Sequence, residues 1–374
     1  MHSEKIIGIK KIGVMDTIDL EINSGNHIFY ANGIATSNSH AVEYAEVSYW
    51  SAWTKAHFPL HFYAAWLTFA KEKIKPEEEV SALVQDAKAH KINILTPTIK
   101  SVVPNFTIEG DNIRFGFGLV KGLGGANLEK LANIVNSSVE KFQKPIHKFN
   151  TAEFMFLITP NINKTVMYNI TMAGALDCFG LDRRRILYYY DVILSLTDKE
   201  IEQIIKLTDC KVSLIGSLKT LLEKGKINKP RRAKIESLVL SLENPPHSLN
   251  DTPAFKVNSE VEFLGCPIST SNLEACFISG DTTIEDFNNG KNAKEMKIAV
   301  EISETREYTI RNGKSVGKNM LFVSAVDETG LMQCVAFSEV YQKYQNVLLK
   351  GNTVLLHGSR SKEDSFTINK VTQL

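Results

Sequence analysis

Asn26-His27-Ile28-Phe29-Tyr30-Ala31-Asn32-Gly33-Ile34-Ala35-Thr36-Ser37-Asn38-Ser39 divides the chain into two parts of different character. Upstream, Thr17-Ile18-Asp19-Leu20-Glu21-Ile22 alternates apolar and polar residues as a half-buried strand does, and Asn23-Ser24-Gly25-Asn26 supplies a turn. His27 to Ala31 reads as a second short strand, Asn32-Gly33 as a tight turn, and Ile34-Ala35-Thr36 as an extended run into Ser37-Asn38. A piece this short cannot bury a core alone, so it must complete another sheet or dock on the rest of the chain. The end of the stretch carries reactive groups. The carboxamide nitrogen of Asn38 can attack its own main-chain carbonyl, close a five-membered succinimide and break the bond to Ser39. The Ser39 hydroxyl can hold an acyl group as an ester and pass it to its own freed amine. Taken singly, Asn32-Gly33 and Asn38-Ser39 are ordinary turn or deamidation-prone pairs, and a lone His27 is an ordinary strand residue.

The whole chain has 374 residues, enough for two or three domains, and its 43% hydrophobic content can build ordinary cores. Lys+Arg 43 against Asp+Glu 42 leaves a net charge of +1, so any nucleic-acid contact must come from local basic patches. Cys178, Cys210, Cys266, Cys276 and Cys334 are widely spaced, without a Cys-x-x-Cys pair or a His in ligand register, and reduced thiols in a cytosol are the simplest account. No apolar run reaches membrane-spanning length, and the N-terminus lacks the order of a signal peptide. Met1 is therefore expected to be the true start of a cytoplasmic product with no membrane partner.

Asp16 to Ser39 resembles the C-terminal part of an intein: a strand bearing Asp19, then His-x-Phe-x-x-Asn-Gly-Ile from His27 to Ile34, then a terminal Asn38 before a hydroxyl residue. Because it starts at Met1 with this part only, residues 1–38 resemble the C-half of a split intein. The resemblance implies that Asn38 cyclises, that Ser39 accepts the acyl group, that His27 moves protons at the junction, and that Asp19 assists the acyl shifts or orients His27. No cofactor is implied for splicing. Ser37 stands where many inteins carry His, which shifts proton transfer onto His27.

Beyond the seam, helical periodicity takes over from Ser39 to about residue 100, with His57-Phe58-Pro59 as punctuation and Trp50, Trp53, Tyr63 and Trp66 as expected core. Ser39-His40-Ala41, Tyr49, Ala52-Trp53 and Lys55-Ala56-His57-Phe58-Pro59 resemble the fingers of a bacterial replicative DNA polymerase III alpha subunit, and the likeness continues almost to the C-terminus. It implies that His40, Tyr44 and Lys55 contact incoming nucleotide or primer-template; packing or solvating a helix is the equal alternative.

Residues 101–195 read as the end of the fingers with a DNA-binding module. Phe106 to Gly116 forms a hairpin around Gly110-Asp111. Lys121-Gly122-Leu123-Gly124 precedes a helix from Ala126 to Val135 and reads as a helix-hairpin-helix turn whose backbone amides can face a phosphate. Gly174-Ala175-Leu176-Asp177 and Gly180-Leu181-Asp182-Arg183-Arg184-Arg185 resemble the second half of that module; Arg183 and Arg184 either follow the DNA backbone or open a solvated helix. Residues 196–296 form a charged helical linker region.

Residues 297–374 turn to strands, at Val300-Glu301-Ile302, Phe322 to Asp327, Met332 to Phe337 and Thr353 to Gly358, with a short helix from Ser338 to Tyr344. The pattern is similar to the polymerase family's OB domain, which implies single-stranded template binding through Arg306, Lys314, Lys318 and exposed aromatics; a purely structural barrel is the alternative. The expected fold class is thus multidomain α+β: a β-rich intein C-piece, α-helical fingers with a helix-hairpin-helix module, and a C-terminal OB-fold β-barrel.

No palm-like set of carboxylates is legible, since Asp281, Glu285 and Asp286 fall in an apparent loop. The resemblance places Mg2+ and the catalytic carboxylates in an N-terminal polymerase fragment that also bears the other intein half. It implies primer-template DNA, dNTPs, a sliding clamp and other replisome subunits as further partners, in a bacterium or a phage-infected host. The competing reading is a non-catalytic DNA-binding accessory protein with helix-hairpin-helix and OB modules. In a mixture with the N-terminal partner, Asn38→Ala is expected to block release, and Ser39→Ala to block ligation while permitting slow cleavage. Mass spectrometry reads both, and unchanged product masses in the two variants refute the splicing chemistry.

Overall fold

The computed structural model describes residues 28–31, 34–37, 41–276, 280–290, 295–311, 316–361 and 365–373. The chain divides into two compact units, Met1–Pro59 and Leu60–Leu374. In the first, β1 (Ile28–Ala31) pairs antiparallel with β2 (Ile34–Ser37), and the expected Asn32-Gly33 turn lies outside the described residues. Helix α1 (Ala41–His57) stops two residues before Pro59, whose ring disfavours helical backbone in the residue ahead of it. Its Trp50 and Trp53 are exposed, contrary to the expectation of core; Trp50 meets Tyr49 and Trp53 edge-on, and Trp53 meets Phe58 in a tilted contact, at centroid spacings of 5.4 to 5.8 Å.

In the second unit, α2 (Pro59–Phe69) buries Tyr63 and Leu67, which leaves Trp66 on the outer side, where its indole N–H donates to Glu79 at 2.7 Å. Helix α3 (Pro76–Ala89) follows. A small sheet comes next, in which β3 (Asn93–Leu95) runs parallel to β5 (Asn112–Arg114) and β4 (Thr107–Glu109) pairs with β5 as the expected hairpin. Gly110 closes it at φ +62°. Helix α4 (Gly125–Phe142) is longer than the sequence pattern suggests. After it come α5 (Thr151–Glu153), which widens into a π-turn, α6 (Lys164–Met172) and α7 (Arg183–Leu194).

The charged linker region opens with three helices, α8 (Asp198–Thr208), α9 (Leu214–Lys224) and α10 (Lys229–Glu243). Their starts are fixed by N-cap side chains of Thr197, Ser213 and Asn228. Helix α11 (Pro253–Leu264) ends at Gly265, φ +85°, and the short α12 (Asn272–Ala275) and α13 (Ile284–Asn288) lead to the barrel. The acidic stretch around Glu285 and Asp286 is therefore helical, not a loop.

Five strands close that barrel in the order β10-β8-β7-β6-β9: β6 (Met296–Thr309), β7 (Asn319–Val326), β8 (Leu331–Ala336), β9 (Thr353–Arg360) and β10 (Phe366–Gln373). Helix α14 (Ser338–Tyr344) lies between β8 and β9, as expected of an OB-fold. Ile298, Val300, Val323, Ala325, Leu356 and Phe366 fill its core. Strand β6 extends well past the predicted Val300–Ile302 because its second half, from Glu304 to Thr309, pairs with β7 as an exposed ribbon.

The buried polar centre of the helical region is Arg183, which is 0% exposed. Its guanidinium donates to Asp177 at 2.7 and 3.1 Å, to Glu260 at 2.6 Å and to the Met172 carbonyl at 3.0 Å. Burial alone would lower its pKa; the hydrogen bonds to Asp177 and the charges of Asp177 and Glu260 outweigh that and hold it above the ordinary value. Glu260, itself fully buried, also accepts from the amides of Ile268 and Ser269 and from the Ser269 hydroxyl. Arg183 was expected along the DNA backbone or at a solvated helix start; it is instead an internal cation, because three acceptors converge on it from α6, the turn after α6, and α11. Glu260→Gln strips a partner from a buried charge and is expected to cost about 3–5 kcal/mol in a denaturant titration. Glu200, also buried, is bonded by Arg231 at 2.5 and 2.8 Å, which holds its carboxyl below the usual 4.5. Its stabilisation is present above that value and is lost as pH falls through the lower folded value. Glu200→Gln should therefore lower Tm at neutral pH, by an amount that shrinks below about pH 4.

Candidate nucleic-acid interface

Two surfaces of the second unit present backbone or aromatic groups suited to nucleic acid. The first is the turn into α4. Leu123 is buried and anchors it, while Gly122, Gly124, Gly125 and Ala126 are exposed. Gly122 adopts φ +76°, a conformation that favours glycine, and a Cβ there would collide with the Asn169 amide. At Gly124 and Gly125 an added Cβ would meet nothing within 4 Å, so open space lies against the backbone. Gly124 is the N-cap without a side-chain cap, and its carbonyl takes the first bonds of the helix, from Asn127 at 2.8 Å and Leu128 at 3.3 Å. The N–H groups of Gly125 and Ala126 precede that first bond and point out of the helix start, toward which the helix dipole attracts an anion. Lys121 stands beside the turn, its ammonium 3.8 Å from Glu262, with both side chains largely exposed.

The equivalent start of α7 is already filled. Asp251 accepts from the backbone N–H of Arg183 at 2.7 Å and of Arg184 at 3.3 Å, so a carboxylate of the same chain occupies the anion position. Behind it the Gly174 turn, φ +80°, closes on the Arg183 guanidinium. Arg184 stacks over Phe255 at 4.2 Å and Arg185 donates to Asn250 at 3.1 Å. The triple arginine thus ties α7 to the stretch from residue 250 into α11, and Arg184 is turned to Phe255 instead of forming a free basic edge.

The second surface is the outer face of β6, β7 and β8. Arg306 lies opposite Phe322 in the register, and the Tyr308 ring meets the Phe322 ring edge-on at 6.1 Å. Phe322 is 39% and Tyr308 38% exposed, so the two rings together present aromatic surface on this face. Ser324 and Gln333 exchange hydrogen bonds at 3.1 and 3.3 Å beside them. The face is offset by a bulge: Ile302 pairs with Ala325 but Glu304 pairs with Ser324, leaving Ser303 as the extra residue, its hydroxyl bonded to the Ser324 carbonyl at 2.9 Å. Tyr308 and Phe322 were not singled out from sequence, although Phe322 sits in a clean alternation with buried Leu321 and Val323 that marks it as outward. Lys318 is exposed just before β7. Where the barrel meets α3, Glu301 accepts from Gln85 at 3.2 Å and Asn272 at 2.8 Å, and burial raises its carboxyl above the usual range.

Tyr44 and Lys55 both lie on α1, eleven residues apart and so on nearly the same helix face. Asp19, His27, Asn38, Ser39, His40 and Lys314 lie outside the described residues. Among the described residues no three His, Cys, Asp or Glu side chains converge on a metal-sized position, and no helix is long and apolar enough to cross a membrane.

A helix-hairpin-helix motif family matches residues 91–186, which include the open turn before α4, and an OB-fold nucleic acid binding domain family matches residues 296–368. The chain is 27% identical over 327 residues to the DNA polymerase III subunit alpha of Aquifex aeolicus, covering 86% of this chain and 24% of that protein. It is 26% identical over 348 residues to that of Bacillus subtilis (92% and 27%), and 24% over 371 residues to that of Deinococcus radiodurans (96% and 25%). The chain spans about a quarter of the length of the curated relatives it matches. It therefore joins a helix-hairpin-helix motif to an OB-fold nucleic acid binding domain in an order and extent similar to the C-terminal part of DNA polymerase III alpha subunits.

Proposed function

We propose that this chain is the C-terminal fragment of a replicative DNA polymerase III alpha subunit, made as a split-intein precursor. Splicing through Asn38 cyclisation and Ser39 acyl acceptance joins it to a fragment that carries the palm, and the joined product extends primers on a template. The observation that carries the DNA role is the open Gly122–Gly125 turn inside the helix-hairpin-helix match, with unfilled amides at a helix start. Such a contact reads phosphate, not base, and suits an enzyme that must hold any sequence. The β6–β8 face supports the second part of the role. Tyr308 and Phe322 offer ring faces to unstacked bases, and Arg306 and Lys318 offer charge to the strand that bears them.

The splicing part rests on the residue order from Asp19 to Ser39 and on its place ahead of the Ser39-His40 start of the fingers, where an uncut intein would interrupt the nucleotide site. Mg2+ would supply two-metal phosphoryl chemistry in the assembled polymerase. Among the described residues no three carboxylate, His or Cys side chains converge on a metal-sized position: Asp281 accepts from the Lys297 backbone N–H and the Thr282 hydroxyl, and Glu285 pairs with Lys91. The ion belongs with the partner fragment.

Binding of labelled mixed-sequence duplex and of oligo-dT by the full chain tests the two surfaces. Lys121→Ala should weaken duplex binding and lower the salt slope by about one phosphate. Phe322→Ala should spare the duplex and weaken oligo-dT by about 1–3 kcal/mol. Unaltered binding by both variants would remove the nucleic-acid reading from both surfaces.

A further inference from the structure

The turn before α4 is held from behind by one buried side chain. Asn169, on α6 and 7% exposed, donates from Nδ2 to the Lys121 carbonyl at 3.1 Å. The amide orientation is fixed by chemistry, because only its nitrogen can donate to a carbonyl. From the other side the Lys121 N–H donates to the Phe263 carbonyl of α11 at 3.0 Å. Both main-chain polar groups of Lys121 are thereby committed, and the next residue, Gly122, turns through φ +76° in the space that the Asn169 amide leaves only to glycine. The Gly122 carbonyl accepts from Asn127 of α4 at 3.1 Å. No other side chain of α6 is bonded to this turn among the described residues.

We infer that Asn169 is the positioning residue of the duplex-binding turn: it sets the Lys121–Gly122 peptide so that the Gly124, Gly125 and Ala126 amides face outward together. The inference rests on reading that turn as the phosphate site. Its support extends backward through the fold. Asn169 lies three residues before the end of α6, and the chain then enters the Gly174 turn that Arg183 plugs. Arg183 is in turn fixed by Glu260, two residues before the Glu262 that faces Lys121. The closed second turn is thus the rigid base, and the open first turn is oriented from it by the one side-chain bond of Asn169, with the Lys121–Phe263 main-chain bond holding the other side. A neutral donor suits this place, since a buried charge would itself need a partner.

Asn169→Asp keeps the shape and removes the donor. In the full chain it should bind labelled mixed-sequence duplex roughly three- to tenfold more weakly, the loss expected for one misplaced phosphate contact, and lower the salt slope by about one. Oligo-dT binding should be unchanged. A spectroscopic readout separates positioning from general loosening. With 15N-glycine label, the Gly124 and Gly125 amide resonances should move downfield when duplex is added to the wild type and stay in place in the variant. Should N169D melt below the assay temperature, Asn169→Ala, which introduces no charge, reads the same outcomes. Duplex affinity and glycine shifts equal to wild type in a folded Asn169 variant, while Lys121→Ala still weakens binding, overturn the role of Asn169 and leave the site standing. Duplex binding untouched by Lys121→Ala overturns the site and this inference with it.

Discussion

A single guanidinium buried among carboxylates organises the helical half of the molecule. Arg183 joins α7 to the end of α6, to the turn that follows it and to α11, elements separated by up to 77 positions in sequence. Desolvating such a charge is costly, and the arrangement persists because every donor direction it uses ends on an acceptor. Once Arg183 is in place, the Gly174 turn has no room for anything else, and Glu260 reaches on to gather Ile268 and Ser269 behind α11. The route toward the barrel is set from there.

The same constraint divides labour between two helix starts that look alike. Both follow a glycine turn and both carry the partial positive charge of a helix N-terminus. At α7 that charge is answered internally by Asp251, and the arginines beside it are engaged by Phe255 and Asn250. At α4 the backbone amides meet open space, and glycines keep the main chain bare. A pseudo-repeated motif has thereby become one anchor and one open surface.

Much of this was legible in the sequence, and the failures trace to partners distant along the chain, to the weight given to large apolar side chains, and to register. The Gly110 hairpin, the Gly122–Gly124 turn, the α14 helix and four barrel strands follow from local chemistry, which glycine, proline and alternation report faithfully. Arg183 and Arg184 read as a basic edge because Glu260 and Phe255, which engage their side chains, lie 77 and 71 residues away. Trp50, Trp53 and Trp66 read as core because large apolar side chains ordinarily signal burial; the smaller Leu67 and Tyr63 hold the inner positions of α2. Tyr308 stayed hidden for a subtler reason. Counting by twos from Ile302 places it inside the barrel, and only the unpaired Ser303 reverses the count.

That unpaired residue carries a consequence for how this gene can change. Loss of the Ser303 codon would join Ile302 directly to Glu304 and make the ladder regular, with Arg306 still opposite Phe322 and every outward side chain still outward. Loss of Glu304 or Thr305 can be absorbed in the same way, by drawing Ser303 into the pairing. The strand therefore holds one residue of slack, and it runs in one direction only. An added residue between Ile302 and Arg306 finds no such reserve; it must open a wider bulge or exchange the two faces of the ribbon, turning Arg306 and Tyr308 to the side that Thr305 and Glu307 now occupy. Alignments of this barrel across species should accordingly let a gap fall at Ser303 before any position on the outer face is equated with another.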